Sequence, residues 1–243
     1  MARKPSPFVE ANRPWIIRKA LSDYLRAKNM FDNMDREISS GRDISFDYLK
    51  KLSDILFTIK ENLYLIFKRV IDPLERKFEK AAKITPNDSE IEFINNVGLL
   101  FHKAMVAREL KYVMEYYATD SKDYKQTKDS LDTYWIRIRE LFDDGIEMIK
   151  HLLVEYSKNI IVLDFLLEKE RYVTEVLGES LDTLLQRIEG KEQFDDAYVR
   201  VGKYCLESGW RHRAKKYLGE ALKINPQNAE AGKLLAQPGY FRL

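Results

Sequence analysis

Apolar residues recur every three or four positions along most of the chain, which is the spacing of one face of an α-helix. The most regular stretch begins near Ser45, where apolar residues alternate in steps of three and four: Leu49, Leu52, Leu56, Ile59, Leu63, Ile66 and Val70. A stripe of this length requires a long partner helix at a shallow crossing angle, as in antiparallel bundles. The pattern therefore predicts a bundle of long helices.

Prolines, glycines and capping residues divide this pattern into segments. The predicted helices cover about residues 12–39, 45–70, 89–117, 121–157 and 160–188. The Asp72-Pro73 pair predicts a kink or a short break after the second helix, and Gly190 is predicted to end the fifth. Because the connections are short, neighbouring helices are expected to be antiparallel. Residues 13–189 are thus predicted to form one elongated bundle, preceded by a flexible arm at 1–12.

From Asp195 onward the pattern changes, because small residues now stand at fixed offsets within a pair of amphipathic helices. With Asp195 as the first of about 34 positions, the segment resembles a tetratricopeptide repeat. The consensus positions fall on Tyr198, Val201, Gly202, Cys205, Gly209, Ala214, Leu218, Ala221 and Pro226. Gly202, Ala214 and Ala221 would lie where two helices approach closely, Gly209 would make the turn between them, and Pro226 would end the second.

The resemblance implies a helical hairpin with a capping helix at 190–236, followed by a tail at 237–243. A single repeat cannot bury its own faces, so this one is expected to stack on the fifth helix, on another copy or on a partner. The predicted fold class is therefore all-α: an elongated antiparallel long-helix bundle followed by a C-terminal tetratricopeptide-like hairpin with a capping helix.

The resemblance also implies a partner-binding face, since the concave face of such repeats holds an extended peptide or a partner helix. Its candidate residues on the first helix of the pair are Asp196, Val199, Lys203, Leu206 and Glu207. A basic run adds charges that could bind an acidic partner: Arg200, Arg211, Arg213 and Lys216. Tyr240 and Phe241 in the tail could insert into a partner's groove or dock on the last helix.

The overall charge balance argues against a general polyanion-binding surface, because 41 Lys and Arg residues face 39 Asp and Glu residues. The two ends are more basic: residues 1–20 carry five basic groups and one acidic group, and residues 191–243 carry ten basic and six acidic groups. This asymmetry leaves a nucleic-acid-associated protein that uses the basic C-terminal region as an alternative, although a nucleic acid is the less favoured partner.

The sequence contains no phosphate-binding glycine loop and no motif of a serine nucleophile. Cys205 occupies a packing position of the repeat, and Glu147 with His151 lacks the spacing of carboxylate di-metal bundles. No catalytic residue, metal or cofactor is therefore predicted. An enzyme whose site is assembled from dispersed carboxylates inside the bundle remains a second alternative.

No apolar run approaches the ~18 residues of a membrane span, and the N-terminus lacks the apolar core of a secretory signal. A single cysteine fits a reducing compartment. The main hypothesis is a cytoplasmic, non-enzymatic adaptor or scaffold that binds a protein partner through the repeat and the tail. The heptad-like stripes fit either an intramolecular bundle or a homo-oligomer.

Overall fold

The computed structural model describes residues 7–68, 87–156, 158–189 and 194–237. These residues form helices and turns without any strand, which confirms the all-α class. The chain divides into two compact units, Met1–Leu152 and Leu153–Leu243. The boundary predicted from the sequence lies near residue 190. The helices between 160 and 189 instead belong to the second unit and not to the bundle.

The described residues of the first unit form four long helices: α1 (Pro7–Ser39), α2 (Phe46–Lys68), α3 (Asp88–Met114) and α4 (Lys122–Tyr156), whose last turn extends past Leu152. Their order and approximate bounds agree with the sequence. However, α1 begins within the predicted arm, because a proline fits the first helical turn, where the backbone N–H has no intrahelical partner. The predicted kink at Asp72-Pro73 lies outside the described residues.

Aromatic rings define how α1 packs against α4. The ring of Tyr24 lies 5.5 Å from that of Phe142, and the ring of Phe31 lies 4.5 Å from that of Trp135, measured between centroids. Tyr24 precedes Phe31 on α1, whereas their ring partners occur in the opposite order on α4, with Trp135 before Phe142. The two helices are therefore antiparallel. The predicted antiparallel packing of long helices is therefore present in this unit.

A buried polar contact lies in the same core. The Asn96 side chain donates a hydrogen bond to the Leu141 carbonyl at 3.1 Å, and its amide lies 3.4 Å from the Tyr24 hydroxyl. A Cβ atom added at Gly145 would overlap that hydroxyl. Gly145 is thus required by the close approach of α1 to α4. The burial of the Tyr24 hydroxyl in this contact raises its pKa above the ordinary value.

Six shorter helices follow in the part of the second unit that the structure describes. They are α5 (Ile160–Glu168), α6 (Glu170–Leu177), α7 (Leu181–Glu189), α8 (Phe194–Glu207), α9 (Arg211–Ile224) and α10 (Ala229–Ala236). The single fifth helix predicted at 160–188 is wrong, because it is three helices. Lys169 leaves the helical conformation, and Gly178 adopts a left-handed φ of +67° that ends α6. The Ser180 side chain then accepts a hydrogen bond from the Thr183 backbone N–H at the start of α7.

The predicted helical pair is confirmed as α8 and α9, and the predicted capping helix as α10. Gly209, with a φ of +76°, joins the pair through two backbone hydrogen bonds of a Schellman turn. A Cβ atom at Gly202 would lie 2.7 Å from Leu218 Cδ2, so the two helices approach closely there. α5 packs on α8 and α10 packs on α9, which places the hairpin between neighbouring helices.

Candidate partner-binding surface

The structure separates the α8 candidates into buried and exposed groups. Val199 and Leu206 are only 2% and 8% exposed, so their predicted role on a binding face is wrong. They are buried because α8 is covered by α5, α7 and α9, and a helix with neighbours on several sides has little free apolar surface. Asp196 and Glu207 are exposed.

The exposed side of α8 is connected to α10 by charge. The Lys203 ammonium forms an ion pair with the Glu230 carboxylate, and both side chains are about half exposed. A pair of this exposure contributes little to stability, so these charges remain accessible to a partner. Arg200 lies on the same helix and is half-buried, with its guanidinium 3.5 Å from the Lys158 carbonyl. We define Asp196, Lys203, Glu207 and Glu230 as the α8–α10 charged face.

Arg213 has an internal role that the basic run did not reveal. Its guanidinium donates hydrogen bonds to both carboxylate oxygens of Asp164, at 2.8 and 3.0 Å, and to Glu168 at 3.1 Å. The Tyr217 hydroxyl donates a further hydrogen bond of 2.9 Å to Asp164, which is only 3% exposed. Arg213 therefore neutralises a buried carboxylate between α5 and α9.

The pKa values around this cluster follow from its burial and charge. Burial raises the pKa of the Tyr217 hydroxyl, and the hydrogen bond with Tyr217 is the main reason that the pKa of Arg213 is raised. Burial, followed by the charge of Asp164, raises the pKa of the Cys205 thiol to about 11. Cys205 is thus protonated at neutral pH and buried, which makes it a poor nucleophile.

A second buried carboxylate fastens the turn between α9 and α10 to the start of α8. Asp195 accepts hydrogen bonds from the side-chain amides of Asn225 and Asn228, at 2.8 and 2.7 Å. Asn228 also caps α10 by accepting a hydrogen bond from the Ala231 backbone N–H at 2.9 Å. These contacts hold α10 beside α8, so they fix the position of the α8–α10 charged face.

The remaining basic candidates lie at the surface of α9. Arg211 and Lys216 are exposed, as are Lys215 and His212 between them. Tyr240 and Phe241 of the tail lie outside the described residues. The structure therefore brings Asp196, Lys203 and Glu207 together on one face, leaves Arg211 and Lys216 accessible, and assigns Arg213 to the interior contact.

Comparison of the chain with protein-family models, curated proteins and solved structures finds no match. Its surfaces are accordingly interpreted from their own chemistry. Within the described ranges, no three His, Cys, Asp or Glu side chains form a group that could hold a metal ion. None of the helices that the structure describes is long and apolar enough to cross a bilayer.

The first unit has one further surface that was not predicted from the sequence, which we name the α2–α3 aromatic face. It combines aromatic rings with cationic side chains on two adjacent helices: Phe46, Lys50, Phe57 and Lys60 on α2, and Phe101, Arg108 and Tyr112 on α3. Phe57 and Tyr112 are each 46% exposed. On α2, Lys50, Phe57 and Lys60 each stand one position after a residue of the core stripe, and this pattern can be read from the sequence.

Proposed function

We propose that this protein is a non-enzymatic interaction protein, an adaptor or scaffold, whose second unit presents the α8–α10 charged face to a protein partner. The observation that carries the proposal is the α8–α9 pair, closely packed at Gly202 and stacked between α5 and α10. Helical repeats stacked in this manner use their extended surfaces for binding. The tetratricopeptide resemblance of the same segment supports this interpretation.

The composition of the face indicates which contacts would be made there. Asp196, Lys203, Glu207 and Glu230 place both signs of charge within two helices, and the apolar residues of α8 are buried beneath them. Such a polar surface selects a partner by complementary charge and affects association rate and specificity more than total affinity. The partner is therefore expected to carry a complementary mixed-charge segment.

The surroundings of the buried carboxylates favour an interaction protein over the enzyme alternative. Each buried carboxylate of the described residues binds a cation or hydrogen-bond donors of its own: Asp23 with Lys19, Glu90 with Arg13, Asp164 with Arg213, and Asp195 with Asn225 and Asn228. A carboxylate held in this way stabilises the fold and has its oxygens already engaged. The nucleic-acid alternative is less well supported, since Arg213 no longer contributes to the basic run.

The test is affinity capture from cells of the source organism with the full chain as bait and quantitative mass spectrometry as readout. The test variant exchanges the charges of the internal pair, Lys203→Glu with Glu230→Lys. This variant keeps the ion pair and exchanges the positions of its two charges on the face. The control exchanges the exposed Arg137–Glu140 pair of α4 in the same way, as Arg137→Glu with Glu140→Arg.

We expect at least one captured protein to decrease about tenfold or more with the exchanged face and to remain with the control. A captured set that is the same for all three baits would contradict the proposal. Turnover of a substrate by the purified chain would also contradict it.

A further inference from the structure

The α2–α3 aromatic face is a second surface with chemistry of its own. At one end, the rings of Phe46 and Tyr112 lie 6.1 Å apart and border a surface pocket of about 340 Å³, which is also lined by Lys50, Arg108 and Glu109. At the other end, the rings of Phe57 and Phe101 lie 5.4 Å apart. The Lys60 ammonium lies 5.5 Å from the centroid of the Phe101 ring.

The two aromatic pairs are separated by a helical distance. Phe46 and Phe57 are eleven positions apart on α2, which corresponds to about 16 Å at a rise of about 1.5 Å per residue. Three turns of another helix cover the same length, so apolar side chains eleven positions apart on a partner helix would meet both pairs. The surface is therefore suited to a helix lying along the groove between α2 and α3.

The charges of the face determine which helix would fit. Lys50 and Lys60 form no ion pair with any side chain that the structure describes, whereas Arg108 forms one of 2.8 Å with Glu109. A surface that sets aromatic rings between cations complements a ligand with apolar anchors and carboxylates.

We propose that the α2–α3 aromatic face is a docking site for an acidic amphipathic helix of a partner protein. The apolar side chains of that helix contact the Phe46–Tyr112 pocket and the Phe57–Phe101 pair, and its carboxylates lie against Lys50, Lys60 and Arg108. This site lies on the first unit and is independent of the α8–α10 charged face.

A single-stranded nucleic acid is the competing ligand, because such ligands also stack on aromatic rings and bind cations. The exposed acidic residues Asp47, Asp54 and Glu61 on the same helix would repel any anionic group of a ligand that passes over them. An acidic helix can place its carboxylates only where cations lie, whereas a phosphate backbone carries a charge at every nucleotide. The charge distribution therefore favours the peptide.

The test uses two phage-displayed libraries of 18-residue amphipathic helices, one with a glutamate-rich and one with a lysine-rich polar face, selected on the immobilised full chain. We expect enrichment of the acidic library. The best peptide, made synthetically, should lose at least tenfold in affinity for the Lys50→Glu, Lys60→Glu variant. The same peptide with each Glu changed to Lys should bind the Lys50→Glu, Lys60→Glu variant better than it binds the wild-type chain.

The matched control is Lys122→Glu with Lys125→Glu, two exposed lysines of α4, which should leave the affinity unchanged. Thermal unfolding of all variants checks that the fold is retained. Equal enrichment of both libraries, enrichment of neither, or affinity that does not respond to Lys50→Glu, Lys60→Glu would overturn the proposal. Binding of a 20-nucleotide single-stranded RNA in preference to every peptide would assign the face to nucleic acid instead.

Discussion

At the scale of single residues, Arg213 differs from the charged residues around it because it binds a buried carboxylate, that of Asp164. In the sequence it stands in a basic run with Arg211 and Lys216, and nothing local distinguishes the three. Its carboxylate partner, Asp164, lies 49 positions earlier in the chain. Charged residues on an amphipathic helix are usually solvated, so a contact over this separation becomes visible only when the packing of α5 against α9 is known.

Replacing Arg213 should therefore destabilise the fold. Arg213→Ala leaves the buried Asp164 carboxylate with Tyr217 as its remaining hydrogen-bond donor among the contacts described above. Removing one partner of a fully buried pair costs ~3–5 kcal/mol, and the partial exposure of Arg213 reduces the expected loss to about 2 kcal/mol. Urea unfolding measures this free energy. Lys216→Ala is the matched control and should change it by less than ~0.5 kcal/mol; equal effects of both variants would contradict the assigned role.

Cys205 predicts how stability responds to alkaline pH. Its pKa in the folded state is about 11, above the ordinary value of 9.0, mainly because of burial. Between these values the unfolded chain releases the thiol proton first, so the folded state loses stability as pH rises. Tyr198 and Tyr217, whose pKa values are also raised, act in the same direction at higher pH.

Free energies of unfolding measured from pH 8 to pH 11 should fall less steeply for Cys205→Ala than for the wild type. The slope is the readout, because the substitution can lower stability at every pH by leaving a small cavity. If the free energies of the two proteins fall in parallel as pH rises, the thiol is not the cause of the loss of stability at alkaline pH.

At the scale of elements, periodicity predicted the long helices well because their stripes face a single core. The same periodicity failed for the fifth helix, since apolar spacing continues across Lys169 and Gly178 although the backbone turns at both. An isolated glycine inside a helical pattern is tolerated too often to mark a break by itself. The serine at 180, a capping residue two positions after Gly178, was the additional signal that could have located the end of α6.

The α8–α9 pair provides a test of packing between elements. Gly202→Ala would place its Cβ within 3 Å of the fully buried Leu218 side chain. Overpacking of this kind costs ~1–3 kcal/mol, partly offset by the better helix propensity of alanine. We expect a net loss of about 1–2 kcal/mol in chemical unfolding.

A double-mutant cycle identifies the cause. Leu218→Ala removes the atoms that the new Cβ would meet, so Gly202→Ala should cost little in that background. A loss that is the same with and without Leu218→Ala would mean that the close approach is not the reason for the glycine.

At the scale of the whole molecule, the sequence predicted the helical pair and its cap but not the surfaces they leave exposed. Gly202 was placed correctly because a small residue marks the close approach of two helices, and Gly209 because a glycine marks a left-handed turn. Val199 and Leu206 were misplaced because burial on α8 depends on α5 and α7, whose packing the sequence does not specify. The α2–α3 aromatic face was missed for a similar reason: its aromatic residues flank the core stripe, and only the fold shows which flank is open.

The central claim is that the α8–α10 charged face contacts a protein partner. Site-specific photo-cross-linking in cells tests it most directly, with a photoreactive amino acid replacing Glu207 or, as a control on the first unit, Arg137. We expect discrete cross-linked protein products from position 207 that are absent from position 137. Identical products from both positions, or products from neither, would contradict the claim.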